Sequence, residues 1–381
     1  MISLDILAFF ILIFIIFLDV YKNRKNIKFK KGIIFRYFKE FTSKTKNFVI
    51  KREKYFSFLG FLSFLISLPS IIIISFLLLF SLIKFQPTVT FVLPSISGYS
   101  YPGPIISVPF FYWIISIFLI VFFHETLHAI VAIKEKVNIK NYGLIYFLIL
   151  PIGAFVDINE KQLKRRSIIS KIKIYAAGSL GNFILSLLTF LIIFAISEIL
   201  FLLTEAKGVY FEETIPNSPA HEVNLSGIII KMDNQTITTI YDLQKFLSDK
   251  KPGDIIKIYT TSGNYTLKLS EKDNKTFIGI NSTKTYLVFK LNGEKVSEEV
   301  MITFFTIFQL LKWIFFLSLG IGLANMLPII PLDGGLIIKE ILTKFLGNKR
   351  GEKASRIIST FFFILIVFSL ILSLKSPIVA S

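Results

Sequence analysis

Two of the chain's three histidines stand in Phe123-His124-Glu125-Thr126-Leu127-His128-Ala129, four residues apart with a glutamate after the first. On a helix, His124 and His128 project from one face a turn apart, so both imidazoles reach one zinc ion. Glu125 is placed to take a proton from a water that such a metal activates. The flanking run, about Val108 to Ile133, is Ile, Leu, Val and Phe, with no polar face to show to water. Ionisable groups inside a hydrocarbon-length segment are costly and mark a functional site by default. The competing reading is a short pattern met by accident, one histidine merely satisfying a helix partner. The scarcity of histidine in the chain weighs against it. A catalytic zinc ordinarily takes three protein ligands. His221, the third histidine, falls in a polar segment and reads as a surface residue. The intramembrane carboxylate at matching depth is Asp333, although Asp333-Gly334 also reads as an ordinary turn.

The elements that must position these residues are membrane helices. The chain is 53% hydrophobic with 42 Phe, and its mean hydropathy is +0.68. These values predict a polytopic α-helical membrane protein with one polar insertion. The net charge of +18 is gathered in juxtamembrane blocks, which fits cytoplasmic retention and anionic lipid rather than nucleic acid. The absence of cysteine excludes disulfides, thiolate metal sites and cysteine nucleophiles. The first apolar run lacks a small-residue cleavage site and reads as a retained helix.

About six spans are expected: Ile2 to Val20, Phe56 to Leu82, Phe110 to Ile133, Ile174 to Leu203, Met301 to Leu323 and Ile357 to Leu374, each near the roughly 20 residues a bilayer requires. Lys22 to Lys54 and Lys344 to Arg356 are basic and read as cytoplasmic loops. Phe85 to Val108 is rich in Pro, Gly and Ser and reads as exterior. This arrangement sets both termini outside and the histidine motif near the cytoplasmic face. Tyr142 to Val156 is too short to span and is broken by Pro151 and Gly153, so a reentrant, β-like loop is expected. Glu205 to Glu299 turns polar, with short alternating strands and one amphipathic helix, Ile240 to Leu247. It holds the sequons at Asn224, Asn234, Asn264, Asn274 and Asn281, and none lies elsewhere. The expected divisions are 1–107, a helix pair with a basic loop; 108–204, carrying the histidines; 205–298, an exterior α+β domain; and 299–381, carrying Asp333.

Taken together, the motifs resemble the site-2 proteases, the intramembrane zinc metalloproteases. His124-Glu125-x-x-His128 resembles their zinc and base motif. Leu150-Pro151-Ile152-Gly153-Ala154-Phe155-Val156 is similar to their membrane-depth loop, and Gly178-x-x-x-Asn182 to their small-residue-plus-Asn element. Asn325-x-x-Pro328-x-x-x-Leu332-Asp333-Gly334 matches their second signature. The resemblance covers about Phe110 to Leu346. It implies that Asp333 is the third Zn2+ ligand and Glu125 the general base. It further implies that Asn182 and Asn325 hold a substrate backbone, and that the loop of Gly153, Ala154 and Phe155 pairs with an extended substrate strand. The implied substrate is a transmembrane protein. Leu127 stands where many members have Gly, and Ala154-Phe155 replaces the commoner Gly-Tyr.

The insertion resembles a PDZ domain through Gly208 to Phe211, Pro216 to Ala220 and Gly227 to Gln235, though its carboxylate-binding loop is not recognisable. Such a domain would contact a peptide or substrate ectodomain, or limit which substrates approach. The alternatives are another class of membrane metalloprotease, with a different third ligand, and a non-catalytic scaffold or transporter.

Overall fold

A computed structural model of the protein describes residues 4–30, 33–38, 40–86, 89–96, 101, 105–147, 150–272, 275–291 and 294–375. Its helices in chain order are α1 (Leu4–Lys22), α2 (Glu40–Lys51), α3 (Glu53–Ile83), α4 (Phe110–Lys134), α5 (Glu160–Lys164) and α6 (Ile168–Leu203). They continue with α7 (Pro219–Glu222), α8 (Ile240–Ser248), α9 (Glu298–Asn325), α10 (Asp333–Leu346) and α11 (Asn348–Lys375). Five helices among the described residues, α3, α4, α6, α9 and α11, are long and apolar enough to cross a bilayer. Their outer faces expose large apolar side chains such as Phe58, Phe118, Phe194, Phe316 and Phe363, a surface suited to lipid. Such helices are compatible with a polytopic membrane protein. The expected first span forms the 19-residue α1. The chain divides into two compact units, residues 1–193 with 307–381, and residues 194–306.

In the first unit, the packing of α4, α6, α9 and α10 decides where the site falls. Ile120, Leu185, Ile314 and Leu317 bring α4, α6 and α9 together. Ile172, Ala176, Met326 and Ile337, with Ile71 of α3, join α6 to α10. At the basic ends, Lys173 pairs with Glu135 at 3.3 Å and Lys171 with Glu340 at 2.9 Å, tying α6 to the end of α4 and to α10. These lysines belong to α6, which begins six residues before its expected start at Ile174 because each finds a carboxylate partner.

The expected reentrant loop is a β-hairpin, β5 (Ile139–Phe147) and β6 (Leu150–Ile158), within a larger sheet. Strands β1 (Ile27–Lys30) and β2 (Ile33–Phe38) arise from the basic segment expected to be a loop, and the four strands run β1-β2-β5-β6. Beside them, β3 (Phe91–Ser95) pairs parallel to β4 (Ile105–Pro109) ahead of α4.

Two polar contacts bind α1 to this framework. Asp5 Oδ1 accepts the Phe111 N–H at 2.9 Å, capping α4, whose own N-cap is Pro109 and offers no side-chain cap. Asp19 pairs with the buried Arg36 of β2 at 3.0 Å. Through these contacts α1 touches both the histidine helix and the sheet.

Asp333 opens α10 rather than closing the preceding span. Helix α9 ends at Asn325, Pro328 and Pro331 prevent its continuation, and a new helix starts at Asp333. Lys344 to Arg356, expected as a loop, is helical on both sides of Gly347, where φ is +79°.

The second unit contains an antiparallel sheet. Its strands lie in the order Asn264–Lys268, Ile255–Thr260, Ile229–Met232, Thr204–Tyr210 and Lys284–Leu291. Leu243 and Phe246 of α8 pack on Val209, Ile229, Met232 and Ile258. A capping box, in which Thr239 and Asp242 each bond the other's backbone N–H, starts α8.

Candidate metal and catalytic site

Helix α4 projects His124 and His128 from one face, their Nε2 atoms 3.1 Å apart. Asp333, at the first position of α10, reaches both: Oδ2 lies 3.5 Å from His124 Nε2 and Oδ1 lies 3.5 Å from His128 Nε2. The three side chains are nearly buried, and their donor atoms all fall within 4.8 Å of one another. Ligand atoms about 2.0–2.1 Å from a tetrahedral zinc stand roughly 3.4 Å apart, so the spacing suits that ion. Two further features fit it. Asp333 Oδ2 is a buried acceptor with no hydrogen-bond partner, which a cation would satisfy. On α6, a Cβ added at Gly178 would meet His128 Nε2 at 2.2 Å and His124 Nε2 at 2.5 Å, so the glycine leaves the space the two rings occupy.

The rings are oriented by α6. His128 Nδ1 lies 2.7 Å from the Ile174 carbonyl oxygen, which can only accept. Nδ1 therefore carries the proton and Nε2 presents its lone pair toward Asp333. Asn182 is fully buried, and its amide lies against His124 Nδ1 at 3.2 Å. That side chain, expected to hold a substrate backbone, is directed at the ring of a candidate ligand.

The close fit of α10 follows from Asp333-Gly334-Gly335. A Cβ at Gly334 would strike the Met326 carbonyl at 2.1 Å, so only glycine lets the first turn of α10 fold onto the segment after α9. Asp333 stands in the first turn of α10, where the helix dipole favours a negative charge.

Glu125 is half-buried and sits against the Val156 backbone of β6. Strand β6 ends the four-stranded sheet. Gly153 pairs with Ile145 of β5, and a Cβ at Gly153 would meet nothing within 4 Å. Ala154 is half-buried opposite Leu144. The Phe155 ring turns back over Gly143, making edge contacts with Phe35 and Tyr37 of β2. Its side chain is sheet core, so only its backbone lies along the strand. Asn325 ends α9, half-buried, and its amide has no partner among the described residues. His221 is exposed beside Thr214 in the second unit.

Sequence reasoning missed Ile174, which acts through its backbone and so leaves no side-chain signal. It also missed Asp5 and Asp19, whose only trace was acidity at the two ends of an apolar run.

The fold and site define a class of protein: a bundle of helices long and apolar enough to cross a bilayer, with a two-histidine, one-carboxylate cluster set beside a glutamate. The family model for peptidase family M50 matches residues 112–369, and the chain belongs to this family, the site-2 proteases. That range holds all three clustered side chains and Glu125. The chain is also 27% identical over 232 residues to an uncharacterized protein of Methanocaldococcus jannaschii, MJ0971. The match covers 60% of this chain and 56% of that relative, so the chain spans little more than half the length of the curated relative it matches.

Proposed function

We propose that the protein is a zinc-dependent endopeptidase that cuts transmembrane segments of other membrane proteins. The convergence of His124, His128 and Asp333 from two helices inside an apolar bundle carries this reading. Zinc held by these three residues would supply Lewis acidity, acidifying the attacking water and polarising the scissile carbonyl. Glu125 takes the water's proton and passes it to the leaving amine.

A transmembrane helix shields its carbonyls, so a substrate must unwind before its backbone is attacked. The terminal strand β6 supports pairing with such an extended segment through the backbone of Gly153, Ala154 and Phe155. A chain lying along that edge would pass beside Glu125, which borders Val156. Asn325, with its unpartnered amide, is the remaining candidate for a substrate contact.

The topology proposed with this function sets the termini and the 205–298 domain outside and the site toward the cytoplasm. The basic segments support it, as does the confinement of all five sequons to that domain. The domain is read as PDZ-like, a reading its short strands and the amphipathic α8 support, and its proposed role is contact with a peptide or substrate ectodomain. Impermeant thiol labelling of single cysteines, in a chain that naturally has none, would refute this topology if the domain reacted only from the cytoplasmic side.

Purified protein in detergent, given a model transmembrane substrate, tests the activity. Wild type is expected to cleave and Glu125→Gln to bind zinc without cleaving. Equal cleavage by the two would remove Glu125 from its role.

A further inference from the structure

The buried amide of Asn182 carries a mismatch that points to its role. Its Nδ2 lies 3.2 Å from His124 Nδ1, while its Oδ1 is buried with no hydrogen-bond partner. With His124 Nε2 turned toward Asp333 and His128 as a metal donor, Nδ1 must carry the ring proton and needs an acceptor. An amide nitrogen there sets donor against donor. The two ends of a carboxamide are nearly isosteric, so a half-turn about χ2 exchanges them within the same space. That one rotation gives His124 Nδ1–H its acceptor and the orphaned Oδ1 its donor.

We propose that Asn182 is a positioning residue for the metal centre: its Oδ1 accepts the His124 Nδ1–H bond and fixes the ring tautomer that presents Nε2 to zinc. This rests on the zinc reading above and replaces substrate binding as the role of Asn182. The neighbouring ligand supports it, since His128 Nδ1 is oriented by the Ile174 carbonyl of the same helix at 2.7 Å. Helix α6 would then supply the outer acceptor to both histidines, one from its backbone and one from a side chain. The backbone at Asn182 is also held in place, its main-chain carbonyl accepting a 2.7 Å bond from Ser318 Oγ of α9, and full burial withdraws the side chain from any substrate. Among the described residues the Gly178 carbonyl also lies against the His124 ring, and the Asn182 variants below separate its contribution from that of the amide.

The test is zinc affinity of the full chain in detergent, measured by competition with a chromogenic chelator, alongside KM for a transmembrane substrate. Asn182→Leu keeps the branching of the side chain and removes the acceptor, so its affinity for zinc is expected to fall roughly 10- to 100-fold. Asn182→Asp keeps an acceptor in place and is expected to stay within about threefold of wild type. Wild-type zinc affinity in Asn182→Leu, with only KM raised, would overturn the proposal and return Asn182 to substrate binding. If Asn182→Leu does not fold, loss of zinc from a folded Asn182→Asp protein overturns it as well. A wild-type protein that takes up no zinc would instead defeat the underlying metal reading.

Discussion

Gly178→Ala is the smallest change that should disable the site while sparing the fold. The added methyl would lie 2.2 Å from His128 Nε2 and 2.5 Å from His124 Nε2. Ordinary contact for a Cβ begins near 3.4 Å, so the rings must retreat by about 1 Å. Metal-ligand distances tolerate only about 0.2 Å, so this displacement is roughly five times what a zinc site absorbs. Two of three ligands are affected at once, and zinc affinity is expected to fall by at least about 100-fold, with cleavage lost in parallel. The helix itself should not suffer, because alanine is favoured over glycine in a helix interior by up to about 1 kcal/mol. Gly320→Ala is the matched control, since a Cβ on that α9 glycine meets nothing within 4 Å. The assay is chelator competition for zinc, with thermal unfolding of the metal-free protein as the check on folding. Zinc binding in Gly178→Ala within about twofold of wild type would refute the ring positions on which the site is built.

Two further predictions concern the framework. Asp5→Ala removes the cap on the Phe111 N–H and should cost about 1 kcal/mol, read as a lower unfolding temperature in detergent, whereas Asp5→Asn should retain most of it. In the second unit, the Thr238 hydroxyl and the Thr239 backbone N–H hold the Asp242 carboxyl down at about 2, against an ordinary 3.8. A carboxylate depressed by folding stabilises the fold above its unfolded pKa and loses that contribution as pH falls through the folded one. Stability of this unit should therefore decline from about pH 4 toward pH 2, and Asp242→Asn should flatten that decline.

What the sequence made legible was chemistry carried by side chains and by long periodic runs. The histidine helix, expected from Phe110 to Ile133, forms over Phe110–Lys134, and the helix expected from Ile240 to Leu247 forms over Ile240–Ser248. Less legible were features set by backbone and by distant partners. The antiparallel pair β1 and β2 was hidden by the lysines of its segment. Its second strand joins the sheet through β5, more than a hundred residues later. Asp333 looked like the end of one helix because prolines break chains in either direction, and only the packing of Gly334 on Met326 shows it to be the start of another. Asp5 and Asp19 carried no motif, yet one caps α4 and the other anchors β2. A cap supplied from another helix cannot be seen in local sequence.

The most direct test of the account is the metal content and peptidase activity of Asp333→Ala beside wild type, both purified in detergent under identical conditions. The account predicts about one zinc per wild-type chain with cleavage of a model transmembrane substrate, and loss of both in the variant. An Asp333→Ala protein that keeps its zinc and still cleaves would place the third ligand elsewhere and contradict the site described for His124, His128 and Asp333.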